Sequence, residues 1–171
     1  MLTTPTEAWN PAIPYTETPS QISSQLQDAM KLYAGVGLAA NQIGMTVAIA
    51  VVRTKERGIL TLVNPTITFT SDSIDPRGGF IQSTEGCLSL PGIQFVITRS
   101  AEIELAWLDE ELSPHTETFK GEDAIRIQHE TDHLKGILVL DHLSALKRNM
   151  LIRKIQKVVR LEKRYEKAVL R

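Results

Sequence analysis

An α+β fold is what the sequence predicts, with antiparallel or mixed β-sheets packed around a central His-Glu-x-x-His helix and further helices towards both ends. Three observations predict it. Apolar residues recur at helical spacing after Thr18, again between Asp123 and Leu134, and through the final stretch from Ala145. Between the first two of these segments, β-branched residues and two-residue alternation dominate. Strong turn formers separate the strands. At 171 residues and 42% hydrophobic content, the chain is expected to be a single catalytic domain spanning 1–171, large enough for a core without disulfide staples.

Residues 1–17 hold Pro5, Pro11 and Pro14 and little periodicity, so they predict an extended arm lying on the body. Thr18-Pro19-Ser20-Gln21 reads as a capping box with proline at the first helical position. Ile22, Leu26, Ala29, Met30 and Tyr33 then share a helical face, and Gly35 is expected to close that helix. Strands are expected over Met45–Arg53 and Leu60–Phe69, around Gln94–Ile97, over Ala101–Trp107 and over Thr116–Phe119. The Ser71–Gly79 segment is read as a turn, since it lacks the closing Glu of a calcium loop. Gly121 precedes a helix over 123–134, which Lys135-Gly136 ends. The last helix, 145–171, should place Leu151, Ile155, Val158 or Val159, and Tyr165 on one face.

No apolar run approaches the roughly 20 residues of a membrane span, and residues 1–30 contain no Lys or Arg, unlike a secretory or transit peptide. A cytoplasmic protein is expected. The net charge of −1 conceals an asymmetry: from Lys147 to Arg171 ten basic and two acidic residues give +8, against −9 for the remainder. Such a tail is either a solvated helix face or a surface for a polyanion.

His129-Glu130-Thr131-Asp132-His133 puts two imidazoles at i and i+4 on one helical face, with Glu130 beside them to handle protons. Two surface histidines on a charged helix would give the same pattern. The only cysteine, Cys87, lies in Glu85-Gly86-Cys87-Leu88-Ser89, a glycine-bearing turn whose backbone can approach an ion. A thiolate and two imidazoles leave the fourth tetrahedral position for water, the arrangement of a catalytic site. The set suits Fe(II), Ni, Co or Zn.

Three motifs together carry a family resemblance. Gly35-Val36-Gly37-Leu38-Ala39-Ala40-Asn41-Gln42, the Cys87 motif and Gln128-His129-Glu130-Thr131-Asp132-His133-Leu134 resemble, in order and spacing, those of the peptide deformylases. These enzymes remove the N-formyl group from the formyl-methionine of new polypeptides. The basic C-terminal helix is similar to that of the type common in Gram-negative bacteria, while the N-terminal motif usual in the family is not recognisable. The resemblance implies a hydrolase that releases formate, with Fe(II) in the cell and Zn, Ni or Co in preparations. Glu130 would act as general base and then acid. It further implies that the Gln42 amide and the Leu88 N–H face the developing oxyanion. Gly35, Gly37 and Gly86 would lie against the substrate backbone. Val36, Ile125 and the His129 ring would wall the methionine pocket.

Arg126 departs from the family's smaller side chain, and is expected either to reach solvent or to narrow that pocket. Glu85 and Asp132 are the acids placed to support the ligating rings. Ser89 is read as a turn residue, and His115 and His142 as surface residues. Gly35-x-Gly37-x-x-Ala40 also fits a dinucleotide fingerprint, but a helix precedes it and a strand follows, the reverse of the required order, so no nucleotide cofactor is expected. A His-Glu-x-x-His peptidase would take its third ligand downstream of the helix, which argues against that rival. A binding module that had lost catalysis would not need the intact set of Gln42, Cys87, His129, Glu130 and His133. The resemblance also implies a ribosome contact through the basic helix.

Overall fold

The computed structural model describes residues 2–71 and 79–169. The backbone packs as two compact units, Met1–Leu138 and Val139–Arg171. In the first, helix α1 (Pro19–Leu32) leads to strands β1 (Gly37–Ala39), β2 (Ile49–Thr54), β3 (Gly58–Thr70), β4 (Phe80–Cys87), β5 (Leu90–Ser100), β6 (Glu102–Leu108) and β7 (Pro114–Lys120), and then to helix α2 (Gly121–Leu134). Five strands form an antiparallel sheet in the order β1-β2-β3-β6-β7, and β4 pairs with β5 as a separate hairpin. The fold is α+β, as the sequence predicts.

The unbroken apolar run of β2 shows how the layers are built. Ile49 and Val51 face α1, where they cluster with Ile22, Leu26 and Met30. Val52, on the opposite face, clusters with Leu62, Ile103, Leu105, Ala124 and Ile127 beneath α2. A strand covered on both sides needs apolar residues at consecutive positions, and all four of Ile49–Val52 are inaccessible to solvent. The helix with both histidines therefore lies against the sheet rather than on the surface.

Local chemistry sets the boundaries. Thr18 Oγ1 accepts from Gln21 N at 3.3 Å, and Gln21 Oε1 accepts from Thr18 N at 2.8 Å, completing the expected capping box. At the other end of α1 the expectation for Gly35 is corrected. Ala34 takes the left-handed conformation, φ 51°. Gly35 N–H reaches back to Met30 O at 2.8 Å and Ala34 N–H to Lys31 O at 3.2 Å, the paired bonds of a Schellman motif. β3 passes through Pro65 by a bulge at Asn64, whose φ of 52° suits an asparagine.

Three other expectations change. The strand expected from Met45 begins at Ile49, because Val47 bridges instead to Glu7 of the arm. β4 was not expected at all, and β5 starts at Leu90 rather than near Gln94. Of the Ser71–Gly79 turn, residues 72–78 lie outside the described residues.

The N-terminal arm is strapped to the body by directional bonds. Thr6 gives both its N–H (2.8 Å) and its hydroxyl (2.9 Å) to Leu134 O at the end of α2. The Asn64 side chain accepts from Trp9 N at 2.7 Å and donates to Trp9 O at 2.9 Å, while the Trp9 ring stacks on Tyr15. Gly136 sits against this strap with φ 74°, and a Cβ there would come within 2.8 Å of Thr3 O.

In the second unit, a 3-10 turn over Val139–His142 precedes helix α3 (Ala145–Val169). Arg148 Nη1 pairs with Asp141 Oδ1 at 3.0 Å. Leu151 and Ile155 are half-buried, on the face that the periodicity predicts, whereas Val158, Val159 and Tyr165 are outside the described side chains. Among the described residues, no helix is long and apolar enough to cross a membrane.

Candidate metal centre

β4 delivers Cys87 to the site. Gly86 opposes Gln94 across the hairpin, but Cys87 opposes Leu90, so residues 91–93 bulge out and re-aim the end of the strand. From α2, His129 and His133 point to the same place. Cys87 Sγ lies 3.3 Å from His133 Nε2, which lies 3.2 Å from His129 Nε2. The three donor atoms are all within 4.8 Å of one another, so residues more than forty positions apart in sequence share one point in space.

The surroundings prepare these atoms for a cation. Burial pushes the Cys87 thiol up, but hydrogen bonding with His129 and His133 and from the Ser89 backbone outweighs it, bringing the thiol from 9.0 down to about 5. The thiolate, the form that binds metals, is then the resident form at neutral pH. For His129, burial disfavours the charged ring, yet Cys87 and Glu85 raise it to about 10, so an incoming cation displaces a proton there. Its Nδ1–H donates to Glu85 Oε2 at 2.8 Å, which turns Nε2 towards the sulfur. One soft and two imidazole donors, the His129 ring held in one tautomer by Glu85, fit a tetrahedral divalent metal with one position left over.

Behind Glu85 stands Arg99 of β5, which the sequence reading missed. Its Nε donates to Glu85 Oε1 at 2.9 Å and Nη2 to Glu85 Oε2 at 3.0 Å, and Nη1 holds Asp132. Burial raises the Glu85 carboxyl, but the hydrogen bonds with His129 and Arg99 overcome this and take it down to about 2. Asp132 thus anchors the same guanidinium that clamps Glu85. A signal for Arg99 was available: Phe95, Ile97 and Arg99 alternate on one strand face, and the first two are core residues.

Glu130 lies beside the donors and is 4% exposed, with Oε2 buried and without a protein hydrogen-bond partner. Burial raises its pKa, while the two histidine rings pull the other way. β1 closes on it so tightly that a Cβ on Gly37 would lie 2.8 Å from Glu130 Cδ, which is why that position has no side chain. Past β1, a 3-10 turn over Ala40–Ile43 carries Gln42. Its Oε1 accepts from Ala39 N at 2.9 Å, and Nε2 lies 3.0 Å from Ser89 Oγ and 3.8 Å from Cys87 Sγ. Asn41, also missed from sequence, donates to His133 O at the end of α2.

Gln42, Cys87, His129 and Glu130 open into a groove of roughly 1070 Å³ between β1 and the β4–β5 hairpin. Gly35, Val36, Gly37, Gly86, Leu88 and Ile125 line it. Arg126 does so too, with its head tied to Glu122 at 2.9 Å, Asp123 at 3.2 Å and Arg53 O at 3.0 Å. His115 lies away from the groove, paired with Asp109 at 2.7 Å and stacked on Trp107.

Residues 1–149 match the protein-family model described as polypeptide deformylase. The chain belongs to the polypeptide deformylase family. It is 38% identical over 141 residues to the peptide deformylase of Aquifex aeolicus, covering 80% of this chain and 79% of that one. Among solved structures, the peptide deformylase of Thermus thermophilus superposes with a TM-score of 0.76 at 32% identity, covering 95% of this chain and 92% of that one. The enzyme of the Vibrio parahaemolyticus bacteriophage VP16T, solved in complex with actinonin, gives a TM-score of 0.70 at 31% identity and covers 81% and 93% of the two chains. Deformylases are metallohydrolases of protein biosynthesis, and removal of the N-formyl group from formyl-methionyl polypeptides is the activity of this chain.

Proposed function

We propose that Cys87, His129 and His133 hold one divalent metal, Fe(II) in the cell, and that Glu130 moves the proton in formyl hydrolysis. The observation that carries this is the convergence of three donor atoms within 4.8 Å next to a buried carboxylate with an unpartnered oxygen. When bound, the metal supplies Lewis acidity that polarises the formyl carbonyl and activates water near neutral pH. Glu130 accepts the water proton and returns it to the departing amine. The Gln42 amide and the Leu88 backbone N–H stabilise the negative charge that develops on the formyl oxygen, the kind of preorganised donor typically worth about 3 kcal/mol. Gly35, Gly37 and Gly86 allow the peptide backbone to lie close, Val36, Ile125 and the His129 ring receive the methionine side chain, and Glu85 steadies the His129 ring directly while Asp132 does so through Arg99. The family match supports reading residues 1–149 as one catalytic domain, and we take the protein to be cytoplasmic.

The test is removal and return of the metal. Chelation under anaerobic, reducing conditions is expected to abolish turnover of a formyl-Met peptide, and Fe(II) or Ni(II) to restore it. Acetyl-Met peptide should not be hydrolysed in either state. Full turnover by metal-free protein, or unchanged metal content in a Cys87→Ala variant, would overturn the reading.

The +8 charge of residues 147–171 supports a further contact, with ribosomal RNA. Co-sedimentation with ribosomes is expected to weaken steeply with added salt and to disappear when 147–171 are removed. Binding indifferent to both would count against an electrostatic contact through this helix.

A further inference from the structure

Ser89 occupies the tight turn between β4 and β5, two residues past Cys87. Its hydroxyl accepts from Gln42 Nε2 at 3.0 Å. The orientation of the Gln42 amide is independently fixed, because Ala39 N–H can only donate and Gln42 Oε1 receives it at 2.9 Å. The NH2 end must therefore face the groove. One of its two hydrogens is committed to Ser89, and the amide plane then directs the other towards the sulfur side, where Nε2 lies 3.8 Å from Cys87 Sγ. A glutamine side chain has three rotatable bonds before its amide, and Gln42 is only half-buried, so packing alone does not hold it. Two hydrogen bonds at opposite ends of the amide do.

We infer that Ser89 is a positioning residue that aims the Gln42 amide at the formyl oxygen. This rests on the role of Gln42 proposed above. Ser89 does not touch the reacting atoms with its hydroxyl; its effect on the reaction passes through Gln42. A side-chain change at 89 removes the hydroxyl that holds Nε2 and leaves the Ala39 N–H bond to Oε1 in place.

The experiment is a double-mutant cycle on the metal-loaded full chain with a formyl-Met peptide. Ser89→Ala is expected to lower kcat by about 3- to 10-fold, the effect of one net hydrogen bond, with KM and metal content unchanged. Ser89→Thr, which keeps a hydroxyl, should recover most of the loss. In a Gln42→Ala background, Ser89→Ala should cost nothing more, whereas a merely structural role would give the same loss in both backgrounds. Wild-type kcat in Ser89→Ala, additive losses, or a loss that tracks departing metal would overturn the inference while leaving Gln42 in place. Wild-type kcat in Gln42→Ala would instead overturn the role of Gln42, and the inference would fall with it.

Discussion

Replacing Glu130 by Gln is expected to lower kcat for formyl-Met peptide by about 10²- to 10⁴-fold, the usual contribution of a positioned acid–base group, while the protein keeps its metal. The substitution preserves shape where shape is tightly constrained. Gly37 presses against this side chain, and the carboxylate is nearly inaccessible. Glutamine fits the same space but cannot take a proton. Glu130 is outside the donor set of Cys87, His129 and His133, so metal content measured on the purified variant should match the parent. Near-parental turnover with metal in place would remove Glu130 from proton transfer.

The second large effect is on stability. Arg99→Met should destabilise the protein by about 3–5 kcal/mol, because it withdraws the guanidinium from two carboxylates that it pairs in the interior. The Arg99 and Glu85 side chains are only 4% and 5% exposed, and Asp132, the other partner of Arg99, is 18% exposed. Methionine replaces the arginine stem as far as Nε, so the change is confined to the guanidinium head. With Glu85 no longer anchored, the His129 ring loses its fixed orientation, and metal affinity is expected to fall by about 10- to 100-fold. Urea unfolding at constant metal concentration and a competitive chelator titration measure the two effects. A stability change below about 1 kcal/mol, the scale of an exposed ion pair, with unaltered metal binding would show that the clamp does not support the centre.

What could be read from sequence follows physical range. The pairing of His129 with His133 is local helical geometry, and a motif five residues long contains it. The capping box at Thr18 is equally local, and both appear in the structure. The meeting of Cys87 with those rings is not local, and only the joint presence of three motifs pointed to it. β4 escaped because Gln82-Ser83-Thr84-Glu85 has no apolar face to alternate: its hairpin borders the groove, and its buried positions near the end include a carboxylate and a thiol. Arg99 escaped because an arginine at a strand end reads as solvated, and its burial makes sense only once Glu85 and Asp132 are placed around it. At the end of α1, a glycine two residues past the last turn suggested the stop, but the bonding pattern puts the left-handed residue at Ala34, where the chain accepts a conformation costing about 1–2 kcal/mol for an L-residue.

The bonds from Thr6 to Leu134 span 128 positions and finish the turn that carries His133. During synthesis Thr6 of the strap is made long before its acceptor, Leu134. Contacts of such long range form late and slow folding, so the ligand set matures only when nearly the whole catalytic unit has been translated. A nascent chain stopped short of His133 holds neither the second ring nor the anchor for its own beginning.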